Sequence, residues 1–193
     1  FKDRFEMTPT GWKNGGYKEY SQKILLQSQR ASQSKANFKD MVPTIVKMPA
    51  IESFYIRNKG YNVNIKETWQ KLQTWILTND ITSYKRIALF HDNPTITPLN
   101  ECQYIGCIMV EDKKSVKSDR LPNFKIADGV YAKFDLKGKT GDVLPFIHWV
   151  YHEWLPKSEY ETTTKPSYAI YNKIDFLDES NEFDLSFYVS INF

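Results

Sequence analysis

The sequence contains no apolar run near the roughly 20 residues that a helix needs to cross a bilayer. Its opening residues lack the charged, apolar and small-residue regions of a secretory signal. Neither a helical membrane protein nor an exported one is expected. Cysteine is scarce. Cys102 and Cys107 lie five apart in a predicted strand, so the period of two aims them at opposite faces and away from a disulfide. Free thiols fit a reducing cytoplasm. Glycine is sparse, its eight residues scattered at turns, and neither a phosphate-cradling loop nor a nucleophile elbow is present. Of the three histidines, His148 and His152 stand four apart beside Glu153. That is metal-ligand spacing, but it lacks the zincin order and an evident third ligand, His91 being the only other histidine. Two ordinary polar-face histidines are the expected reading, with no metal and no cofactor.

What the chain does have is aromatic residues, at 15% of its 193 positions, with 41% hydrophobic and 25% charged residues. Those values suit one globular domain, with room for an appendage. Aromatic content of this order is common where flat apolar ligands bind. Charge is uneven. Residues 1–47 carry nine Lys or Arg against four Asp or Glu, a balance of +5 in a chain whose total is +3, so the rest is −2. A basic front on a mildly acidic body is the pattern of a nucleic-acid contact followed by a different module. The first residue is Phe, and the chain is expected to be a piece of something longer.

Residues 15–40 read as a helical connector: a Gly15-Gly16 break, a polar helix over 17–32 with one apolar cluster at Ile24-Leu25-Leu26, then a polar stretch. From Met41 onward the pattern repeats. An extended segment (42–60) leads to a helix over 65–77 with an inward stripe of Ile65, Trp69, Leu72 and Ile76, then to strands over 85–90 and 103–111. The second copy has a strand over 125–138, a helix, and strands over 167–173 and 182–191. Gly60 and Gly138 are 78 apart, and Phe90 and Tyr171 are 81 apart. Two strand-helix-strand-strand units predict an α+β fold, a pseudo-symmetric curved antiparallel sheet with helices packed on it, preceded by a helical segment. A ligand cleft is expected where the copies meet.

The second helix, FIHWVYHEWLP, is the most aromatic stretch of the chain and ends at Pro156. Leu144, Ile147, Tyr151 and Leu155 form one apolar face, and Phe146, Trp149, Val150 and Trp154 a second. That is more apolar arc than one sheet contact requires, so Trp149 and Trp154 are expected to line the cleft. Phe90 and Tyr171 join them as symmetry mates, with Tyr104 and Tyr131 from neighbouring strands.

Two stretches resemble known families. Phe1, Lys2, Phe5, Thr8, Pro9, Trp12 and Lys13 resemble the end of the AraC/XylS-type DNA-binding domain, with Glu6-Met7 where Gly is usual and Lys13 where Arg is usual. This resemblance implies that 1–14 is the remnant of a helix-turn-helix domain lying mostly before Phe1, with DNA as its partner. The body, 41–193, resembles the GyrI-like (SHS2-type) small-molecule-binding domain, the effector module of multidrug-sensing regulators of the Rob and BmrR type. The residues that carry the resemblance are Glu153-Trp154-Leu155-Pro156 with Ser158 and Tyr160, Pro166-Ser167-Tyr168-Ala169-Ile170-Tyr171, His91-Asp92-Asn93-Pro94, and Gly129-Val130-Tyr131-Ala132. Together they imply a non-enzymatic transcription regulator that senses a flat apolar or amphipathic molecule. A GyrI-like hydrolase and a GyrI-type protein-binding module are the alternatives. One departure matters. Ala169 stands where the family usually has a pocket Glu that attracts cations or acts as acid and base, and Glu153 is the candidate replacement. The oligomeric state is not legible.

Overall fold

A computed structural model describes residues 1–61, 64–112, 116, 120–174 and 181–193. The expected extended segment 42–60 is two strands, β1 (Thr44–Met48) and β2 (Ile51–Lys59). Pro49, between them, has no amide to donate, so one ladder cannot run through it. The second copy divides at the equivalent place into β5 (Asn123–Ile126) and β6 (Gly129–Lys139). Here Gly129 adopts φ 148°, which a residue with a Cβ rarely takes. Strands β3 (Tyr84–Phe90), β4 (Gln103–Val110), β8 (Ser167–Ile174) and β9 (Glu182–Asn192) complete the two copies. A two-residue β7 (Glu161–Thr162) pairs with the far end of β9.

The sheet is antiparallel in the order β1-β6-β9-β8-β3-β4-β2-β5. Its register shows the duplication directly. Ile45 of β1 faces Ala132 of β6, and the same pairing displaced by 78 residues is Asn123 of β5 opposite Phe54 of β2. The copies join through β3 and β8, where Ala88 faces Ala169 and each is the other's mate. The pseudo-two-fold axis therefore passes through this alanine pair. Each copy lends its end strand to the other's edge, so β1 and β5 wrap across the axis and curl the sheet.

Two helical segments lie on one face. In α5 (Asn64–Thr78), Trp69, Leu72 and Ile76 are buried on the stripe that its spacing predicts, with Trp75 buried beside them and Ile65 half-buried. The second segment is composite. A tight turn over Thr140–Asp142 leads into α6 (Val143–Trp149), which opens to a wide π turn over Val150–Trp154 and closes with a tight turn containing Pro156. Phe146, Ile147 and Val150 face the sheet and are fully buried. Under these helices Ala88, Phe90, Tyr104, Ala132, Phe134, Ala169 and Phe187 share one core. The opposite sheet face holds a second cluster that includes Ile87, Leu89, Ile105, Tyr131, Tyr168 and Tyr188.

The front is helical, as expected. It contains α1 (Lys2–Phe5), α2 (Pro9–Gly11) capped by Thr8 Oγ1 on the Gly11 amide at 3.1 Å, α3 (Tyr17–Leu26) and α4 (Gln29–Ser32). The expected break at Gly15-Gly16 is only a kink, with Gly15 at φ 109° between two helical stretches. Phe5, Trp12 and Tyr20 pack on one another beside it at tilted and edge-on angles. Segment 15–40 lies on the body instead of running free. Ser21, Ile24, Ala31 and Phe38 are buried, and Phe38 packs 5.4 Å from the Phe146 ring and 6.2 Å from that of Trp149. The surplus aromatic face of α6 is thus covered by this segment. Among the described residues no helix is long and apolar enough to cross a membrane, which says nothing about membrane barrels.

Candidate functional site

A cavity of about 480 Å³ lies beside the pseudo-axis, between the starts of the two long helical segments. Its lining is paired by the repeat. Phe90 and Tyr171 are mates in the floor, and Ile65 and Lys66 of α5 correspond to Val143 and Leu144 of α6. Tyr104, directly across the ladder from Phe90, joins the floor, and Tyr61, just past β2, stands beside them. The rings of Tyr61, Phe90 and Tyr104 meet edge to face at 6.0 Å. The remaining wall has no counterpart in either copy, because Ser28, Gln29, Arg30 and Ala31 at α4 close it. Glycine permits that closure. A Cβ on Gly141 would lie 2.7 Å from the Arg30 carbonyl oxygen.

Polar groups on the floor are hydroxyls. Trp69 Nε1 donates to Tyr104 Oη at 2.9 Å, and Tyr104 is in turn hydrogen-bonded to Tyr171. Burial pushes the Tyr171 hydroxyl up to about 12 and raises those of Tyr104 and Tyr61 as well. All three remain neutral donors over the physiological range. The Tyr61 hydroxyl is buried without a hydrogen-bond partner among the described residues. None of the described lining residues is Asp or Glu, whereas Arg30 and Lys66 both border the space.

The cavity brings together three of the residues expected from the sequence: Phe90, Tyr104 and Tyr171. The other five lie elsewhere. Trp149 packs on Phe38 and Phe134, and Trp154 on Phe134 and Tyr160. Tyr131 is on the opposite sheet face, because the alternation that buries Ala132, Phe134 and Leu136 under the helices turns it away. There it borders a separate hollow of about 330 Å³. Ala169 is fully buried in the strand core opposite Ala88 and does not line the cavity. Glu153 is half-exposed on the outer surface, paired with Lys157 at 2.9 Å and Lys18 at 3.6 Å. The Lys157 bond holds its carboxyl below the usual range. Glu153 therefore lies outside the cavity, turned outward by the wide turn over Val150–Trp154. Sequence reasoning missed Tyr61, Lys66 and the α4 residues. The repeat spacing that pairs Ile65–Lys66 with Val143–Leu144 was an available signal for Lys66. Nothing local marks Arg30.

A buried polar joint fixes the connector to α6. Ser21 Oγ lies 2.8 Å from His148 Nδ1 and 2.7 Å from His152 Nε2. A hydroxyl has one proton, so one ring accepts it and the other donates to the oxygen. Burial lowers His148 to about 4, with His152 opposing its charge further. Burial also lowers His152, which stacks on Tyr17 near Lys18. Both are neutral at pH 7. The two residues thus form a structural latch, not part of the cavity. Cys102 and Cys107 are buried free thiols.

Comparison with known proteins agrees with this architecture. The model of the GyrI-like small molecule binding domain matches residues 41–191. A DNA gyrase inhibitor of Citrobacter koseri is 22% identical over 129 residues, 66% of this chain and 82% of its own. Among solved structures, the EcmrR C-terminal domain superposes with a TM-score of 0.58 at 15% identity, covering 79% of this chain and 98% of that one. EcmrR in its DNA complex gives 0.61 at 12% identity, over 98% of this chain and 79% of that one. Identities this low establish shared fold, not shared ligand. With three quarters of its length matched, the chain belongs to the family of GyrI-like small-molecule-binding domains.

Proposed function

We propose that this chain is the ligand-sensing part of a cytoplasmic transcription regulator of AraC type, with residues 1–14 as the end of its DNA-reading unit. The observation that carries the sensing role is the cavity roof. The space between the two copies is closed by Ser28–Ala31, which belongs to the segment joining the front of the chain to the body. A planar molecule lying on Phe90, Tyr104 and Tyr171 would contact both copies and this segment at once. Its binding energy would then favour the state in which the segment is docked, the differential affinity that a switch requires. The basic front and the superposition of nearly the whole chain on EcmrR in its DNA complex support a DNA partner.

Thermal unfolding of residues 1–193 tests the sensing role, with planar aromatic compounds of each charge type. A compound at 100 times its dissociation constant adds about 2.7 kcal/mol, and Phe90→Ala should abolish the gain. If no planar compound raises the midpoint, the sensing role falls. Ligand that binds but leaves the DNA affinity of the regulator unchanged would refute the coupling.

A further inference from the structure

Resting on the reading of this cavity as a ligand site, we propose that its ligand is an aromatic anion, a flat ring bearing a carboxylate or equivalent acidic group. The anion is held between Lys66 of α5 and Arg30 of the connector. Ligand charge is the property the lining discriminates most sharply. Two cationic side chains border the cavity, and among the described residues neither has an ion pair or side-chain hydrogen bond of its own. Two described carboxylates that flank the space are committed elsewhere. Asp142, between lining residues Gly141 and Val143, accepts from Ser34 Oγ at 2.6 Å and from the Lys139 amide at 2.8 Å. Asp92 accepts from the Gln103 amide at 2.7 Å. A cation entering here would lose its water to a wall of rings and hydroxyls with no described carboxylate to replace it. An anion would find the Lys66 ammonium, the Arg30 guanidinium and the Tyr61 hydroxyl, a buried donor with no described acceptor. Lys66 also sits in the first turn of the 15-residue α5, where the helix dipole is positive.

This assignment gives the connector a specific task. Lys66 is fixed to the body and Arg30 to the mobile partner of the proposed switch, so an anion between them is a cross-link whose strength depends on α4 being docked. A neutral ring on the same floor would lack that cross-link.

The test uses residues 1–193 and three probes on one ring system: 2-naphthoate, 2-naphthol and 2-naphthylmethylammonium, titrated by calorimetry. Naphthoate should bind most tightly and the ammonium compound most weakly. Lys66→Ala and Arg30→Ala should each weaken naphthoate roughly fivefold, as an ion pair at a partly exposed rim allows, and leave naphthol within twofold. Saturating naphthoate should slow amide exchange over residues 29–32, and Arg30→Ala should remove that slowing. If naphthol binds and charge makes no difference, or the ammonium compound is preferred, the anion assignment fails while the cavity remains a ligand site. If none of the three binds, the cavity reading fails with it.

Discussion

Acid should loosen the connector, and His148 sets the size of the effect. The ring lies between α6 and α3, with Ser21 Oγ on Nδ1 and Nε2 buried without a normal-geometry partner, the Pro94 carbonyl lying near enough only to offset a little of the desolvation. Facing it are His152 from its own segment and, beyond His152, Lys18 and Tyr17 from the connector, with Glu153 pairing Lys18 at the surface. Of these, only the surface carboxylate of Glu153 favours a charged ring, and it acts on His152 while paired with Lys18 and Lys157. The folded value of about 4 lies below the ordinary 6.5. Between those values the unfolded chain binds more protons than the folded one. The contribution of neutral His148 is therefore complete above pH 6.5 and is lost as pH falls toward 4. Linkage makes that loss about 2 kcal/mol between pH 7 and pH 5, and about 3 kcal/mol in full. His152, lowered in the same direction, adds to it.

Urea unfolding followed by tryptophan fluorescence at pH 7, 6 and 5 measures this loss. His148→Gln should be less stable at pH 7 but should lose less than half as much on acidification. A proton NMR titration of the imidazole reads the same group without relying on a variant that folds. A His148 resonance that titrates near pH 6.5, or a midpoint flat from pH 7 to pH 5, would refute the reasoning.

Other substitutions probe the remaining contacts. Gly141→Ala places a Cβ against the Arg30 carbonyl; it should cost about 1–3 kcal/mol and speed amide exchange over residues 28–32, with core strands β6 and β9 unaffected. Tyr104→Phe removes the hydroxyl to which the buried Trp69 N–H donates, and urea midpoints should show a loss of about 1–3 kcal/mol. Phe134→Ala opens a void among Phe146, Trp149 and Trp154 and should cost about 3–5 kcal/mol by the same assay. Glu153→Gln, which removes two surface pairs, should change stability by under about 1 kcal/mol and leave the affinity for any cavity ligand unaltered in calorimetry.

Periodicity explains what was legible beforehand. Ala132, Phe134 and Leu136 alternate, Trp69, Leu72 and Ile76 recur at helical spacing, and both patterns end up facing the same core. The 81-residue interval placed Phe90 and Tyr171 together because the register through Ala88 and Ala169 makes them mates. Even the division of 42–60 was readable at Pro49. The docking of the connector on the body was not. Its anchors, Ser21, Ile24, Ala31 and Phe38, are too few and too widely spaced in a polar stretch to form a pattern. Without Phe38 in view, the helical spacing leaves Trp149 no visible cover; in the structure it packs on Phe38 and Phe134, and Trp154 packs on Phe134 and Tyr160. Tyr131 lies on the other sheet face because the alternation that buries Ala132, Phe134 and Leu136 turns it away.

For the proposed sensor, the same segment resolves a difficulty inherent in a duplicated site. A ligand beside the pseudo-axis meets nearly equivalent floors, Phe90 on one side and Tyr171 on the other, so contacts to the repeat alone would strain or relax the two copies alike. Such symmetric stabilisation raises stability without directing a change to either end of the chain. Directional output needs a wall that the repeat does not supply. Ser28–Ala31 is that wall, held at one end by the Ser21 latch and at the other by Ser34 on Asp142 and Phe38 on Phe146. On this reading the duplicated floor holds the ring, and Ser28–Ala31, through Arg30, turns that binding into a directed response. Substitutions in the floor should weaken every planar ligand, whereas Arg30→Ala should weaken the acidic ligand and the response together.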